Sequence, residues 1–474
     1  MSDRTPDGGT APGVADDGAT EQRGHDDPLV VVEGLRTHYE SERLVGGKPV
    51  KAVDGVSVEI GRGETFGIVG ESGCGKTTLG RSILRLEDVN GGRVSFDGTD
   101  VTTLGRRDLK AWRRNAQMVY QNPTSSINER MTVGEIVREP LDIHDWGRPE
   151  ERRERVWDLL DRVGLRPEHY HRYPHQFSGG QRQRVGIARA LALEPEFIVL
   201  DEPVSALDVS VQAKILNLLA DLQAEFDLTY MLIAHDLSVV RHICDRVGVM
   251  YLGKLMEVGP TKQLFESPAN PYTRSLLSAI PQPDPDAGAD RITLRGTPPN
   301  PRDPPSGCVF STRCPFKIRP AEHGDLTDEQ WAAIEAFRGV IRERDQARVT
   351  VLERLKARLG IDDRFTPIDE IASELLDPVP FPDPVEGTLE EATALVADGN
   401  VPAARDRLRE AFGGVCEAEA PEQHGIGVFV VAVIGRYRSS SDHSDSSRLI
   451  IDPLTPDFEI RNLAIPEVIE KASL

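Results

Sequence analysis

The sequence predicts an α/β domain followed by a C-terminal extension. Between residues 28 and 265, short apolar runs alternate with stretches of helical spacing, a pattern typical of buried strands linked by helices. One of these runs leads directly into a glycine-rich phosphate-binding motif at 70–78. From residue 266 proline becomes frequent, which indicates an irregular connection. At 474 residues, the chain is long enough for one large core with appendages.

The chain divides into five predicted segments. They are a disordered acidic tail at 1–27, the α/β domain at 28–265, a proline-rich extension with a cysteine pair at 266–320, an inserted helical module at 321–415 and the end of the extension at 416–474. The tail is rich in Gly, Asp and Thr and poor in apolar residues that could form a core. The module is predicted from apolar residues that recur at helical spacing, namely Trp331, Ile334, Phe337 and Ile341.

Two capping boxes and one apolar run refine this division. Thr327 to Gln330 and Thr388 to Glu391 each match the pattern that begins a helix, and the second helical stretch is expected to end near Phe412. The run GIGVFVVAVIG at 425–435 is far shorter than the roughly 20 residues that span a bilayer. It predicts a buried strand instead.

The overall charge limits the partners that the chain can bind. It carries 77 acidic and 56 basic residues, a net charge of −21, whereas nucleic acids are bound through clustered Lys and Arg. Only 10 of the basic residues are lysines, a composition that resembles proteins of high-salt cytoplasms and so favours a halophilic source. The first 27 residues lack the features of a secretory signal, and five cysteines are an odd number for a disulfide scaffold. We therefore expect a cytoplasmic location and no nucleic-acid partner.

The phosphate-binding motif is GESGCGKTT, which directly follows the apolar run 66–69. Its glycines let backbone amides turn towards phosphate oxygens, and the following helix presents its positive N-terminus. We expect Lys76 to reach the β- and γ-phosphates and the Thr77 hydroxyl to coordinate Mg²⁺. The predicted nucleotide-binding residues of this loop are Gly70, Glu71, Ser72, Gly73, Cys74, Gly75, Lys76, Thr77 and Thr78.

Two further stretches indicate which kind of phosphate-loop protein this is. FSGGQRQRVGIARAL at 177–191 resembles the signature motif of ATP-binding cassette (ABC) ATPases, and EFIVLDEPVSALD at 196–208 resembles their Walker B strand and D-loop. The resemblance implies the ABC nucleotide-binding domain, in which a core sheet carries the phosphate loop and a helical subdomain is attached. It also implies ATP and Mg²⁺ as cofactors and ATP hydrolysis as the reaction.

The Walker B stretch ends in two carboxylates. Asp201, at the end of a strand-like apolar run, is placed to hold Mg²⁺ through water, and Glu202 is placed to polarise the attacking water as general base. The resemblance adds Gln121, in MVYQNP, as the Q-loop glutamine that joins the Mg²⁺ shell. It also makes His235, after the apolar run 231–234, the switch histidine that contacts the γ-phosphate and the water-activating carboxylate.

A second anion-binding surface is predicted at the start of the signature helix, where backbone amides and a serine hydroxyl converge. Its residues are Ser178, Gly179, Gly180 and Gln181. In ABC ATPases this surface closes over the ATP of the opposite subunit, so the resemblance implies a head-to-tail dimer in which Asp208 contacts the partner. Tyr39, in LRTHYE, fits the aromatic residue that stacks on adenine, and simple strand packing is the alternative interpretation.

One cassette without a predicted membrane span leaves two function classes, a subunit of a membrane transporter or a soluble ABC ATPase of translation or DNA repair. The soluble proteins usually carry two cassettes or a long coiled coil, and they need a basic surface that is absent here. NPTSSINERMTVGEIVREPL at 122–141 and PPSGCVFSTRCPF at 304–316 closely resemble the ATPases of oligopeptide and dipeptide importers, specifically their F-type chain. The resemblance covers residues 29 to about 316, and importers of nickel or sugar stay open as alternatives.

This resemblance also implies the partners of the chain. They are a D-type ATPase paralogue in the head-to-tail dimer, two integral-membrane permease subunits and an extracellular peptide-binding protein. The chain would then work at the cytoplasmic face of the plasma membrane, held there by the permease subunits. Substrate choice would belong to the other chains.

Cys308 and Cys314 in PPSGCVFSTRCPF, together with Cys416, pose a separate question. Peptide-importer ATPases often end in four cysteines that hold an iron–sulfur cluster, and these three resemble the first three ligands, although no fourth cysteine follows. His424 or His443 could supply a missing ligand, since imidazole also binds such metals. The alternatives are zinc, or no metal and cysteines that pack a proline-rich tail.

Overall fold

The computed structural model describes most of the chain. The described residues are 28–40, 48–122, 127–280, 292–294, 296–346, 367–426, 429–433, 449–451 and 460–462. The tail predicted at 1–27 lies outside them, as do residues 347–366 of the predicted helical module. Within the described residues, no helix combines the length and the apolar character needed to cross a membrane.

The strands of the described part form three sheets. In chain order they are β1 Pro28–Tyr39, β2 Val50–Gly61, β3 Thr65–Val69, β4 Gly91–Phe96, β5 Thr99–Asp100, β6 Ala116–Val119, β7 Phe197–Asp201, β8 Thr229–Ile233, β9 Arg246–Tyr251, β10 Lys254–Pro260, β11 Glu422–Ile426, β12 Phe429–Val433, β13 Leu449–Ile451 and β14 Ile460–Asn462.

The largest sheet has the strand order β11-β12-β10-β9-β3-β8-β7-β6. From β9 to β6 its strands run parallel, and β3, β7 and β8 are buried along their whole length. Their sequences are nearly all apolar because both faces of a parallel sheet are covered. The carboxyl ends of these strands therefore meet at one edge, where the motif residues follow them.

A second, antiparallel sheet has the order β2-β1-β4-β5. Leu35 of β1, Ile60 of β2 and Phe66 of β3 are fully buried in one apolar cluster, so this sheet packs on the central sheet. Tyr39 ends β1 opposite Val50 of β2. The packing holds the end of β1 in a defined place relative to the phosphate loop that follows β3.

The helices cover the sheets, and some of them also form a helical subdomain and a separate helical module. In chain order they are α1 Lys76–Ile83, α2 Arg106–Trp112, α3 Val133–Ile143, α4 Pro149–Arg162, α5 Gly179–Leu191, α6 Val209–Phe226, α7 Leu237–Ile243, α8 Thr261–Glu266, α9 Pro271–Ser278, α10 Asp328–Gln346, α11 Ile368–Leu376, α12 Asp383–Ala397, α13 Val401–Phe412 and α14 Val415–Ala418. Helices α3, α4 and α5 pack together through buried apolar residues, among them Val137, Leu160 and Val185. They form a helical subdomain beside the sheet edge.

Helices α10 to α13 form a separate module with its own apolar core. The four residues predicted from helical spacing are all buried in it, namely Trp331, Ile334, Phe337 and Ile341. Helix α10 begins with the predicted box, in which the Gln330 N–H donates to the Thr327 hydroxyl at 3.2 Å and the Thr327 N–H donates to the Gln330 amide oxygen at 2.8 Å. Helix α13 ends at Phe412, also as predicted.

The second predicted capping box is wrong. Helix α12 begins at Asp383, so Thr388 lies inside it and its hydroxyl donates to the Pro384 carbonyl at 3.0 Å. Pro384 in the first turn starts the helix earlier, because its fixed φ suits that turn and it needs no hydrogen-bond acceptor. A Thr followed three residues later by Glu is also common within helices, so the pattern alone misplaced the start.

The apolar run at 425–435 contains the strand that was predicted there. Strand β12 pairs antiparallel with β10, with Val430 opposite Val258, and it pairs with β11 on its other side. The C-terminal part of the chain thus extends the central sheet past the edge formed by β10. The end of the extension is joined to the α/β domain by backbone hydrogen bonds.

Charged side chains attach the helical module to the extension. This charge cluster consists of Lys317, Glu335, Arg338, Arg342 and Glu417. Lys317 Nζ lies 2.9 Å from Glu335 of α10, and Arg338 Nη2 lies 2.7 Å from Glu417. Burial alone would raise the pKa of Glu417, but Lys317 and Arg338 outweigh it and hold that pKa below its usual value. Both carboxylates are therefore charged and paired at neutral pH.

Candidate active site

The phosphate loop connects β3 to α1. Gly75 has φ +109°, a conformation that side chains rarely adopt, and an added Cβ would lie 2.0 Å from the Ala52 carbonyl oxygen. Lys76 is buried, and its Nζ donates to the Gly70 carbonyl at 2.9 Å and to the Glu71 carbonyl at 3.1 Å. The ammonium group is thus held across the loop, and the loop amides precede the positive end of α1.

Thr77 and Asp201, two of the predicted Mg²⁺ ligands, are in contact. The Thr77 hydroxyl donates to Asp201 Oδ1 at 2.9 Å. Burial raises the pKa of Asp201 above its usual range, and the hydrogen bond from Thr77 partly offsets this. A hydroxyl beside a single carboxylate suits Mg²⁺, which takes few protein ligands and completes its shell with water and substrate phosphates. The pair therefore fits the ion that the motif implies.

Gln121, Glu202 and His235 meet at the carboxyl edge of the parallel strands. Gln121 Nε2 donates to Glu202 Oε2 at 2.7 Å, and His235 Nδ1 lies 3.1 Å from the same oxygen. The three residues follow β6, β7 and β8, neighbouring strands of the sheet. In this structure Gln121 contacts Glu202 and has no hydrogen bond to Thr77 or Asp201 among the described residues.

The backbone of Glu202 is strained. Its φ is +45°, a left-handed conformation that is uncommon for a residue with a side chain. The Glu202 N–H donates to the Ile233 carbonyl at 2.9 Å, and the Ser205 hydroxyl donates to the Glu202 carbonyl at 3.1 Å. These bonds hold the turn after β7 so that the carboxylate points to Gln121 and His235. Strain of this kind commonly occurs at functional sites.

The signature residues begin α5, apart from the loop just described. Ser178 is the N-cap, its hydroxyl accepts from the Gln181 N–H at 3.4 Å, and its own N–H donates to the Gln181 side chain at 3.0 Å. A Cβ added to Gly180 would lie 2.6 Å from Val211, so glycine lets α5 approach α6 closely. Gly179, which lies between Ser178 and Gly180 in the sequence, is half-buried.

Asp208 and Tyr39 are both exposed. Asp208 is the N-cap of α6, and the next residue, Val209, is 81% exposed, which is unusual for an apolar side chain. Tyr39 is 38% exposed at the end of β1. Both positions leave these side chains accessible to a ligand or a second molecule, as their predicted roles require.

An interaction that the motifs did not predict reaches the phosphate loop from the extension. Arg313 Nη1 lies 2.8 Å from both carboxylate oxygens of Glu71, and the Tyr272 hydroxyl accepts from the Glu71 N–H at 3.0 Å. Tyr272, Tyr251 and Phe310 pack ring against ring, with centroids 4.7 to 5.4 Å apart. One indication was present in the sequence, because Arg313 and Phe310 lie within segment 304–316, which resembles the ATPases of peptide importers.

Two cysteines of the extension, Cys308 and Cys314, are half-buried, and Cys416 is buried. Burial raises the pKa of Cys308 to about 11 and that of Cys314 to about 12, and it also raises the pKa of Cys416. The Cys308 N–H donates to the Cys416 carbonyl at 2.8 Å, so backbone bonds join the two segments. Within the described residues, no group of three or more His, Cys, Asp or Glu side chains is arranged to hold a metal ion. The three cysteines are thus not joined by a further described ligand; the side chain of His424 and all of His443 lie outside the described part.

Comparison with known protein families matches three regions of the chain. A family model described as ABC transporter matches residues 53–205, and one described as the C-terminal region of oligopeptide/dipeptide transporters matches residues 256–319. A domain of unknown function (DUF8228) matches residues 328–427, which include the helical module.

Individual relatives agree with the family models. A protein of Brucella ovis named as a peptide import ATP-binding protein is 55% identical over 291 residues, which are 61% of this chain and 90% of that protein. The oligopeptide transport ATP-binding protein AppF of Bacillus subtilis is 55% identical over 277 residues, 58% of this chain and 84% of AppF. A solved dimeric ATP-binding cassette bound to ADP and Pi, MJ0796, is 31% identical and covers 49% of this chain and 99% of its own, with a TM-score of 0.45.

These matches confirm the predicted fold class, an α/β cassette with a helical subdomain and an importer-type extension. They also confirm that the predicted motif for ATP lies in an ATP-binding protein of the transporter class, and they do not favour a soluble ATPase of translation or repair. The chain belongs to the ATP-binding proteins of the oligopeptide/dipeptide ABC transporter family.

Proposed function

We propose that this chain hydrolyses ATP to power a membrane importer of oligopeptides or dipeptides. The observation that carries the proposal is that Glu202 contacts both Gln121 and His235 at the sheet edge that bears the phosphate loop. The importer-type extension at 256–319 supports peptides as the cargo over nickel or sugar.

The phosphate loop and its neighbours bind the nucleotide. Lys76 and the loop amides, from Gly70 to Thr78, hold the β- and γ-phosphates, and Tyr39 stacks on adenine. Thr77 and Asp201 hold Mg²⁺ with the phosphates. When bound, the ion neutralises charge on the phosphate oxygens.

Glu202 acts as general base for hydrolysis. Its carboxylate takes a proton from a water molecule as the water oxygen bonds to the γ-phosphorus, and the bond from that phosphorus to the bridging oxygen of ADP breaks. ADP and inorganic phosphate leave. His235 and Gln121, both in contact with Glu202, keep the carboxylate in position and link it to the γ-phosphate and to the Q-loop.

A second ATPase subunit completes each site. The start of α5, where Ser178 is exposed and Gly179 and Gln181 are half-buried, and the exposed Asp208 have the chemistry to bind the nucleotide and loop of a partner in a head-to-tail dimer. An F-type chain pairs with a D-type paralogue, so we propose a heterodimer. Two permease subunits hold it at the cytoplasmic face of the membrane, and an extracellular binding protein delivers the peptide.

Membrane co-purification tests this function. The tagged chain, expressed in cells with its natural partners and solubilised in mild detergent with ATP, is expected to recover two permease-type membrane proteins and a second ABC ATPase. Reconstituted vesicles of that complex should take up a labelled peptide only when ATP is supplied. Recovery of ribosomes or DNA-bound proteins, or ATP-dependent uptake of nickel or sugar without peptide, would overturn the proposal.

An iron–sulfur cluster on Cys308, Cys314 and Cys416 stays a separate prediction, and no step of the proposed reaction uses it. Its test is iron and sulfide analysis of anaerobically purified protein. Because the described residues supply no ligand group of three or more, we expect a colourless, metal-free protein with full ATPase activity. Iron and sulfide in stoichiometric amounts would establish the cluster instead.

A further inference from the structure

A cavity of about 490 Å³ lies between the extension and the helical module. Its walls come from the proline-rich segment 299–306, from Ser311 and Thr312 between the two cysteines, and from helices α10 and α13. This volume is within the roughly 300–1,000 Å³ of pockets that bind small organic molecules. The cavity is separate from the residues of the candidate active site.

The lining of the cavity has an excess of positive charge. Its cationic residues are Lys48, Arg338, Arg342, Arg405 and Arg409, and its carboxylates are Asp303, Asp345 and Glu417. Each carboxylate already has a cationic partner in the lining: Asp303 lies 2.6 Å from Lys48, Asp345 pairs with Arg405, and Glu417 lies 2.7 Å from Arg338. The two remaining cations are more loosely paired, because Arg342 lies 3.9 Å from Glu335 and Glu417, and Arg409 lies 3.6 Å from Asp406.

Arg342 is the most loosely paired cation of the lining. Its nearest carboxylates among the described residues, Glu335 and Glu417, each lie 3.9 Å away, beyond hydrogen-bond distance. Its side chain is largely buried and lines the cavity. A guanidinium binds carboxylate or phosphate oxygens through two parallel hydrogen bonds, and such bonds are strong where water is excluded.

Two hydroxyl groups in the same wall also lack partners. Ser311 is only 1% exposed, and neither its hydroxyl nor that of Thr312 has a hydrogen-bond partner among the described residues. A buried hydroxyl without a partner costs free energy, so native proteins rarely keep one without a reason. Both residues line the cavity, where their hydroxyls can donate to an oxyanion.

We propose that this cavity binds a small organic anion. Arg342 and the hydroxyls of Ser311 and Thr312 bind its carboxylate or phosphate group, and its apolar part lies against Ile341 and Leu408. None of these residues belongs to the candidate nucleotide site, so the two sites are distinct.

The position of this site links it to ATP binding. Thr312 directly precedes Arg313, whose guanidinium holds Glu71 of the phosphate loop at 2.8 Å. An anion that draws the 311–312 backbone towards the cavity changes the position of Arg313. Occupancy of the cavity therefore alters the affinity for ATP, and ATP alters the affinity for the anion by the same factor.

Binding is tested with two probes, succinate for carboxylates and inorganic phosphate for phosphates. Each is titrated into the full-length protein by calorimetry at constant ionic strength, with saturating Mg·ADP to fill the phosphate loop. We expect saturable binding of at least one probe. Arg342→Gln should weaken it about tenfold or more, since it removes a charged donor, and Ser311→Ala should weaken it about threefold. Arg407→Gln is the control, because Arg407 pairs with Glu391 and is not part of the lining.

The outcomes separate the possibilities. Binding of succinate alone identifies a carboxylate site, and binding of phosphate alone identifies a phosphate site; either supports the proposal. Ser311→Ala removes a hydroxyl that bonds to nothing described, so it should fold even if Arg342→Gln does not. No saturable binding of either probe, or binding that both variants leave unchanged, would overturn the site. A bound probe that leaves the KM for ATP unchanged would overturn its link to the phosphate loop.

Discussion

Arg313 holds Glu71, with its Nη1 at 2.8 Å from both carboxylate oxygens. The two residues are 242 positions apart, one between the cysteines of the extension and the other in the phosphate loop. Both side chains are largely buried, which makes the pair stronger than a surface ion pair. The importer-type extension thus contacts the predicted nucleotide-binding loop directly.

Breaking this pair should weaken ATP binding. We expect Arg313→Gln and Glu71→Gln each to raise the Kd for ATP several-fold, because the loop loses the contact that orders it. The double variant should be little worse than either single variant, which corresponds to a coupling of about 1 kcal/mol. Titration with a fluorescent ATP analogue measures all three. Arg319→Gln is the matched control, since its partner Asp328 is almost fully exposed; strictly additive effects of the first two changes would contradict the pairing.

Removing the Glu202 carboxylate should stop hydrolysis and keep ATP bound. Glu202→Gln retains the side-chain shape but cannot take a proton, so kcat should fall about 10²- to 10⁴-fold with little change in KM. The variant should then accumulate as an ATP-bound dimer, visible by sedimentation together with its partner subunit. Glu196→Gln serves as control because its carboxylate is exposed and pairs with Arg62. Normal turnover by Glu202→Gln would exclude this residue as the base.

The cysteines of the extension should react slowly in the folded protein. Their pKa values, about 11 for Cys308 and about 12 for Cys314, mean that nearly all of each thiol is protonated at about pH 8, and only the thiolate reacts with iodoacetamide. Mass spectrometry after brief labelling should find both unmodified in native protein and fully modified after unfolding in denaturant. Rapid labelling of native Cys308 at that pH would instead indicate thiolates of the kind that ligate metals.

Acid should loosen the helical module by protonating Glu335. Burial alone would raise the pKa of this carboxyl, but Lys317 and Arg338 outweigh burial and hold it below its usual 4.5. Because the pKa is lower in the folded state, the stabilisation is complete above about pH 4.5 and is lost as the pH falls through the folded-state value. The part of the tryptophan fluorescence that the Trp331→Phe change removes should follow this loss, because Trp331 is buried in the module.

The matching variant tests the same carboxylate at neutral pH. Glu335→Gln should lower the free energy of unfolding of the module by about 1–3 kcal/mol, since it leaves Lys317 and Arg338 with one carboxylate fewer. The difference from the unchanged protein should shrink at acid pH. Glu329→Gln is the control, on the same helix but exposed. Equal sensitivity of the two variants would show that the charge cluster does not hold the module.

The sequence correctly predicted where the motifs lie relative to the strands, because these positions depend on local residue order. The phosphate loop, the carboxylates after β7 and His235 after β8 each follow a short apolar run, and such runs become adjacent parallel strands whose ends meet. The start of α10 was predicted for the same reason, because a capping box acts within four residues. The box at Thr388 failed because the proline at 384 had already begun the helix.

By itself, the sequence determined the cassette fold, the nucleotide motifs and the transporter family, since these depend on residue types at fixed short spacings. Only the tertiary structure decided that Arg313 pairs with Glu71, that Ser311, Thr312 and Arg342 line one cavity, and that Cys308 and Cys314 are half-buried while Cys416 is buried. Each of these depends on contacts between segments far apart in the chain. Such contacts follow from how the module and the extension pack on the cassette, and no local pattern encodes that packing.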